Sequence, residues 1–379
     1  MGVDCEAFRA EFEVTNEWAY LNHAGFGPMP RRAIAAVERL TRAFANPPTI
    51  ETDGPGRAIA TARAHVAALV GGDPTHVAFV GNVGDAMSLC AAGIDWRVGD
   101  NVVIPRDEFP STVYAYLNLQ RCGVEVRFVD KDAKGFTDLN RIADAIDHRT
   151  RALVISHVEF MDGYRNDLNA IGDLCEERQV LSIVDATQSM GVLPIDVRAA
   201  RIDVIAAHAY KWLMDSYGLG PIHFSDAALD AIRPVYVGRL SVKKSFEDLD
   251  YALDWQDKAL RFQTGGFNWL SIAAFNESAE LIRTANPATT ESHSRALIDQ
   301  AIEGLERRGY AVTSCLEPSH RSAIFSFTGG SPNRDKAIIN DLKSKGVIVS
   351  LRGRGIRVSP YFYNNAEDVD RLVEALASH

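Results

Sequence analysis

Between about residues 75 and 225, seven short β-rich segments alternate with helical stretches. They cover residues 76–80, 101–105, 125–129, 152–158, 181–185, 204–207 and 220–224. Most are apolar throughout rather than alternating, as expected of strands covered on both faces. Between them, residues 139–146 and 168–179 carry apolar side chains at helical spacing. Strand–helix–strand alternation of this kind predicts a mainly parallel α/β sheet. The last hundred residues read instead as an α+β unit: helix 291–308, strand 323–327, helix 334–345, strands 347–351 and 355–359, and helix 366–377. A chain of 379 residues accommodates one large and one smaller domain. The expected division is an N-terminal segment (1–20) packing with the small domain, a large domain over 21–275, and a small domain over 276–379.

The formal charge of −10 argues against a general nucleic-acid binder, because a phosphate backbone demands a basic surface. It leaves room for a local basic pocket. The five cysteines are scattered without a C-x-x-C pair, so the expectation is reduced thiols and no metal site. The amino terminus lacks the pattern of a secretory signal, and no apolar run reaches membrane-spanning length. A cytoplasmic location is the default, without a membrane partner.

Chemistry concentrates at the ends of the apolar segments. The stretch 204–220 delivers His208, Tyr210 and Lys211 to a strand's carboxyl end, the edge where α/β sheets bind ligands. A lysine there, beside anion-binding groups, can have its pKa lowered and attack an aldehyde. Alone, such a lysine is more often a solvated surface residue. The stretch 181–191 brings Asp185 and Gln188 to another strand tip. There a carboxylate suits a protonated pyridine nitrogen; a helix cap or a metal ligand is the plainer alternative. Residues 79–88 run from a strand into a helix start, where the Val83 and Gly84 backbone N–H groups favour a phosphate. A nicotinamide fingerprint is weak here, since the third glycine is missing.

Together, Asp185, Gln188, the 208–211 turn and a late Arg357-x-Ser359 resemble the class V aminotransferase family, whose members include cysteine desulfurases, kynureninase and isopenicillin-epimerase-like proteins. The resemblance runs from Tyr20 to Asn364. It implies the type I fold of pyridoxal-phosphate (PLP) enzymes, with a mainly parallel seven-stranded sheet, and the cofactor held as a Schiff base on Lys211. It further implies that Asp185 meets the ring nitrogen, Gln188 the ring hydroxyl, and Phe109 the ring face. His208 stands where the family usually has a phosphate-binding Ser or Thr, and Tyr210 where desulfurases have His. Arg357 matches the arginine that clamps a substrate carboxylate, with Arg352 nearby to assist; Arg354 reads as a solvated hairpin arginine.

Residues 261–268 resemble a segment that reaches the phosphate from a neighbouring subunit, which implies a homodimer, with Gly266 where Thr is usual. Arg239 stands where Trp is usual; a pocket charge for an acidic substrate and a surface arginine are equally open. Asn22 and His23 are expected at the pocket entrance. Glu159 is expected to face the cofactor, as an extra acid or as a salt-bridged neighbour of Arg165. No cysteine lies between Val347 and Arg357, which counts against a persulfide-forming desulfurase. The expected activity is aminotransferase-type chemistry at the α-carbon of a small amino acid. A β-eliminating C–S lyase, an epimerase, and a non-catalytic binding or regulatory protein are the alternatives.

Overall fold

The computed structural model describes residues 5–50, 54–243, 251–353 and 355–376. Thirteen strands are present among them: β1 (Ala19–Tyr20), β2 (Val77–Val80), β3 (Asn101–Pro105), β4 (Glu125–Val129), β5 (Thr150–Ser156), β6 (Leu181–Asp185), β7 (Val204–Ala206), β8 (Gly220–Phe224), β9 (Ala311–Val312), β10 (Phe325–Thr328), β11 (Val347–Ile348), β12 (Ser350–Arg352) and β13 (Gly355–Val358). The large sheet has seven strands in the order β2-β8-β7-β6-β5-β3-β4. Pairing is parallel from β7 through β6, β5 and β3 to β4, while β8 runs antiparallel to both β7 and β2.

The apolar runs are explained by two hydrophobic clusters, one on each face of this sheet. Val103, Leu153, Ile155, Val184 and Ile205 belong to one. Val102, Ile104, Val154, Ile183 and Val204 belong to the other. Alternate residues of one strand thus enter opposite cores, and neither face is free to be polar. Each fully buried Val, Ile or Leu contributes roughly 1.5–3 kcal/mol of transfer free energy.

Ends move by a residue or two where local chemistry decides them. Strand β5 stops at Ser156, and Val158 makes only an isolated bridge to Arg165. The helix Leu168–Arg178 starts on Asp167, whose side chain accepts from two backbone N–H groups, and ends where Gln179 turns left-handed. The expected boundary between residues 275 and 276 falls in helical chain. Trp269–Ala285 and Pro287–Arg307 meet at Asn286, which has positive φ and caps the second helix. Residue 275 therefore lies inside a helix. The expected strand over 347–351 is two pieces, β11 and β12.

A second sheet, β12-β13-β10-β9, carries a third core that includes Leu305, Phe327, Ile356 and Leu372. The amino-terminal segment joins it: β1 pairs in parallel with β11, and Arg9 bonds Asp368 at 2.7 Å. No described helix is long and apolar enough to cross a membrane.

Candidate active site

The carboxyl ends of β5, β6 and β7 open onto one small cavity. Its wall is formed by Phe109, Ser156, Val158, Phe160, Asp185, Thr187, Gln188, His208 and Lys211. Register explains the meeting: Ser156 stands beside Asp185, and Asp185 beside Ala206, so three neighbouring strands end at one level. A larger cleft lies at the opposite sheet edge, around Arg198, His223 and Asp226. There Arg198 and Asp226 already face opposite charges.

The cavity differs because its buried charges lack counter-ions. Lys211 is 7 % exposed and makes no ion pair or hydrogen bond through Nζ among the described residues; Nζ lies 5.4 Å from the Phe109 ring centre. Burial, reinforced by the charge of Arg357 and opposed by Asp185, lowers its pKa to about 8. Asp185 is buried and receives only neutral donors, Thr112 Oγ1 at 3.1 Å and the Thr187 N–H at 2.8 Å. Arg357 is 1 % exposed; Nη1 donates to the Phe160 carbonyl, Nε has no partner, and no carboxylate pairs with it among the described residues. Burial, with Arg352 adding to it, lowers its pKa to about 9, which leaves it charged at neutral pH. Isolated buried charges are costly. Two of them, Lys211 and Asp185, line the cavity, and Arg357 is bonded to the carbonyl of Phe160 in its wall, an arrangement suited to a charged ligand.

Neutral groups complete the wall. His208 Nδ1 accepts from the Val83 N–H at 3.4 Å, which places the ring proton on Nε2 and leaves it to donate. Burial holds His208 at a pKa of about 4, so the ring is neutral. Val83 opens the helix Val83–Gly93, and Gly84 follows beside Ser111. Gln188 is fixed at both ends: Nε2 donates to the Ala24 carbonyl, and Oε1 accepts from Trp212 Nε1 at 2.8 Å. Phe109 packs edge-on to Phe160. Tyr210 lies among Phe26, His208 and Tyr217. Gly27 allows the close packing here, since a methyl group on it would sit 2.1 Å from the Lys211 carbonyl oxygen.

Several expected residues are placed otherwise. His23 is fully buried, bonded to the Tyr363 hydroxyl and packed on Trp212 and Tyr361, and does not line the cavity. Its aromatic surroundings hold it neutral, with burial lowering its pKa to about 3. Glu159 is also off the cavity wall. Its partner is Lys131 at 3.4 Å, while Arg165 bonds Glu291 at 2.8 Å. Arg165 forms an isolated bridge with Val158, and its side chain meets Glu291 on the helix Pro287–Arg307. Asn22 bridges to Ser359, and its Oδ1 is buried without a partner. Arg352, Arg239 and Gly266 are exposed and not part of the cavity wall within one chain. Arg354 lies outside the described residues. No cluster of three or more potential metal ligands occurs among the described residues.

Glu108, Thr112, Ser156 and Phe160 were not singled out from sequence. Glu108 is buried and bonded to both the backbone N–H and the hydroxyl of Ser156. Burial first, and then the charge of Glu159, raises its pKa well above the ordinary carboxyl value. Its surroundings thus favour the protonated form of this acid directly behind the wall.

A buried amine of lowered pKa and a carboxylate on the same cavity, with a buried arginine that has no carboxylate partner among the described residues, suit a pyridoxal-phosphate enzyme. The donor set fits the cofactor: an amine for its aldehyde, an anion for its ring nitrogen, and N–H groups for its phosphate. The chain belongs to the class V aminotransferase family, whose model matches residues 19–372. It is 26% identical to a probable cysteine desulfurase of Methanothermobacter thermautotrophicus, over 98% of this chain and 97% of that one. It is also 26% identical to the uncharacterized aminotransferase YcbU of Bacillus subtilis, covering 84% and 82% of the two chains. Among solved structures, the cystine C–S lyase C-DES in complex with its reaction product cysteine persulfide superposes with a TM-score of 0.87 at 21% identity, covering 96% of this chain and 98% of that chain. The cysteine desulfurase CsdA of Escherichia coli gives 0.85 at 20% identity, covering 98% and 97%.

Proposed function

We propose that the enzyme acts at the α-carbon of an amino acid, with Lys211 as covalent anchor and proton carrier, and that transamination is its reaction. The observation that carries this reading is the set of three buried charges without counter-ions, on Lys211, Asp185 and Arg357. When bound, pyridoxal phosphate supplies an aldehyde carbon and an electron-accepting ring. The residues of the chain do the rest. Arg357 receives the substrate carboxylate through its free Nε and remaining N–H groups, a planar fork suited to that ion. That contact orients the α-hydrogen towards Lys211.

Lys211 Nζ, with a pKa of about 8, is partly neutral at physiological pH and can take that proton and return it at a different carbon. Asp185, its carboxylate kept in place by Thr112 and Thr187, would hold a proton at the ring nitrogen of the bound cofactor. Neutral His208, whose Nδ1 is taken by the Val83 N–H, would offer Nε2–H to the phosphate. Phe109 would hold the ring by apolar contact. We also propose that Gly266 and Arg239 act from a second subunit of a homodimer, since each lies on the surface of a single chain.

A second reading, β-elimination by a C–S lyase, draws on the segment from Val347 to Arg357, which contains no cysteine. Such a lyase releases its sulfur product without a protein thiol. The test is the visible spectrum of the purified enzyme with a panel of amino acids. Transamination predicts that the lysine-bound band is lost on adding an amino acid and restored by a keto acid. A band that persists while pyruvate and ammonia accumulate would establish elimination. Absence of any band after supplying pyridoxal phosphate, or its survival in Lys211→Ala, would refute the whole assignment.

A further inference from the structure

We infer that the substrate carries a second anionic group on its side chain, and that Arg352 with Ser350 receives it. The inference rests on the reading of Arg357 as receptor of the α-carboxylate and adds the substrate class. It comes from the hairpin that presents Arg357. In the β12–β13 pair, Ser350 stands opposite Arg357, and Arg352 opposite Gly355. Directly opposed side chains share a face of a sheet, as do residues two apart on one strand. Ser350, Arg352 and Arg357 therefore lie on one face, with Arg352 diagonal to Arg357.

That face is rich in unused donors. The Ser350 hydroxyl is buried without a partner, and so is Arg357 Nε. Arg352 donates one N–H to the carbonyl of its neighbour Leu351, and no carboxylate pairs with it among the described residues. Most arginines of this chain do find acids, as Arg9, Arg32 and Arg165 show. The charge count points the same way. Arg357 and Arg352 are close enough to lower the pKa of Lys211, Arg352 is close enough to lower that of Arg357, and among the described residues Asp185 is the carboxylate of the cavity wall. One substrate carboxylate on Arg357 leaves Arg352 uncompensated. A second anion, a few bonds along the side chain, would compensate it, whereas a cationic side chain would be repelled.

The experiment uses the holoenzyme and follows decay of the lysine-bound visible band with L-aspartate and L-glutamate against their neutral amides, L-asparagine and L-glutamine. These pairs differ in charge and hardly in shape. The expected result is a preference for the acids of roughly tenfold to a hundredfold in kcat/KM, the size of one charge-assisted contact. In Arg352→Gln the acid-to-amide ratio should collapse towards one, and Arg352→Lys should restore part of it. Equal use of acids and amides by the wild type, or an unchanged ratio in Arg352→Gln, would overturn this inference while leaving α-carbon chemistry standing. If no amino acid of a broader panel alters the band, the underlying reading of the site falls, and this inference with it.

Discussion

Replacing Lys211 by methionine should destroy activity and at the same time make the cofactor-free protein more stable at neutral pH. Methionine has a similar length and no charge, so the packing volume is nearly kept. The gain follows from the depressed pKa. Lys211 falls from an ordinary 10.5 to about 8, chiefly through burial, with Arg357 and Arg352 adding to the effect and Asp185 opposing it. At 1.36 kcal/mol per pKa unit, holding the ammonium form in the folded protein costs about 3 kcal/mol relative to the unfolded chain.

Below pH 8 both states are protonated and the cost is present in full. As pH rises from 8 to 10.5, the folded state releases its proton first, the unfolded state holds more protons, and stability increases. The wild-type apoprotein should therefore gain stability over that interval, and Lys211→Met should not show this component. Urea denaturation of both proteins at a series of pH values reads it directly. The variant should be more stable by up to about 3 kcal/mol at pH 7, with the gap closing near pH 10.5. Parallel profiles without a gap at pH 7 would mean that Lys211 is not a destabilised buried cation, and the argument from uncompensated charge would fail.

Two further outcomes follow from buried acids. Glu108→Gln should fold nearly as well as the parent, because the native side chain is held neutral, whereas Glu108→Ala orphans the Ser156 N–H and should cost about 2–4 kcal/mol in urea denaturation; equal losses in both variants would contradict the neutral form. Asp215 is fully buried, with Oδ2 unpartnered, and burial raises its pKa well above 3.8. The folded state then keeps a proton that the unfolded chain releases, so stability falls as pH climbs above about 4; Asp215→Asn should remove that decline, and an unchanged pH profile would refute it.

The fold was legible because parallel strands covered on both faces are apolar through their middles, and β3, β5, β6 and β7 carry such runs (102–104, 152–155, 183–184 and 204–206) between mostly polar ends. Lys211 and Asp185 were legible for a related reason: each is the polar residue or turn that follows directly on such a run. What stayed hidden depends on contacts between distant segments. The Glu108–Ser156 bond joins the loop after β3 to the end of β5, and neither residue has a local pattern that names the other. Glu159 and Arg165 are six positions apart and looked like partners. Their ion pairs instead run to Lys131 and Glu291, because the turn between them sends the two side chains to different neighbours. His23 was expected at the entrance, yet an imidazole amid Trp212, Tyr361 and Tyr363 can be buried once Tyr363 supplies one hydrogen bond. Composition cannot separate those two fates for a histidine.

The division of labour between the two sheets gives the charge arrangement its mechanical sense. Asp185 ends β6 of the large sheet and Lys211 lies in the turn after β7, whereas Arg357 is on β13 of the small sheet and reaches over to the Phe160 carbonyl, just beyond β5. On the proposed reading, an amino acid held by Arg357 and facing Lys211 would touch elements of both sheets. Its carboxylate supplies the counter-ion that the small sheet lacks, and that contact is available only when the sheets are correctly apposed. Binding energy at a group remote from the reacting bond can in this way be used for orientation. On the proposed reading it also accounts for an arginine without a carboxylate partner among the described residues. An acid at its Nε would compete with the substrate carboxylate for the contact proposed to align the α-hydrogen with the lysine.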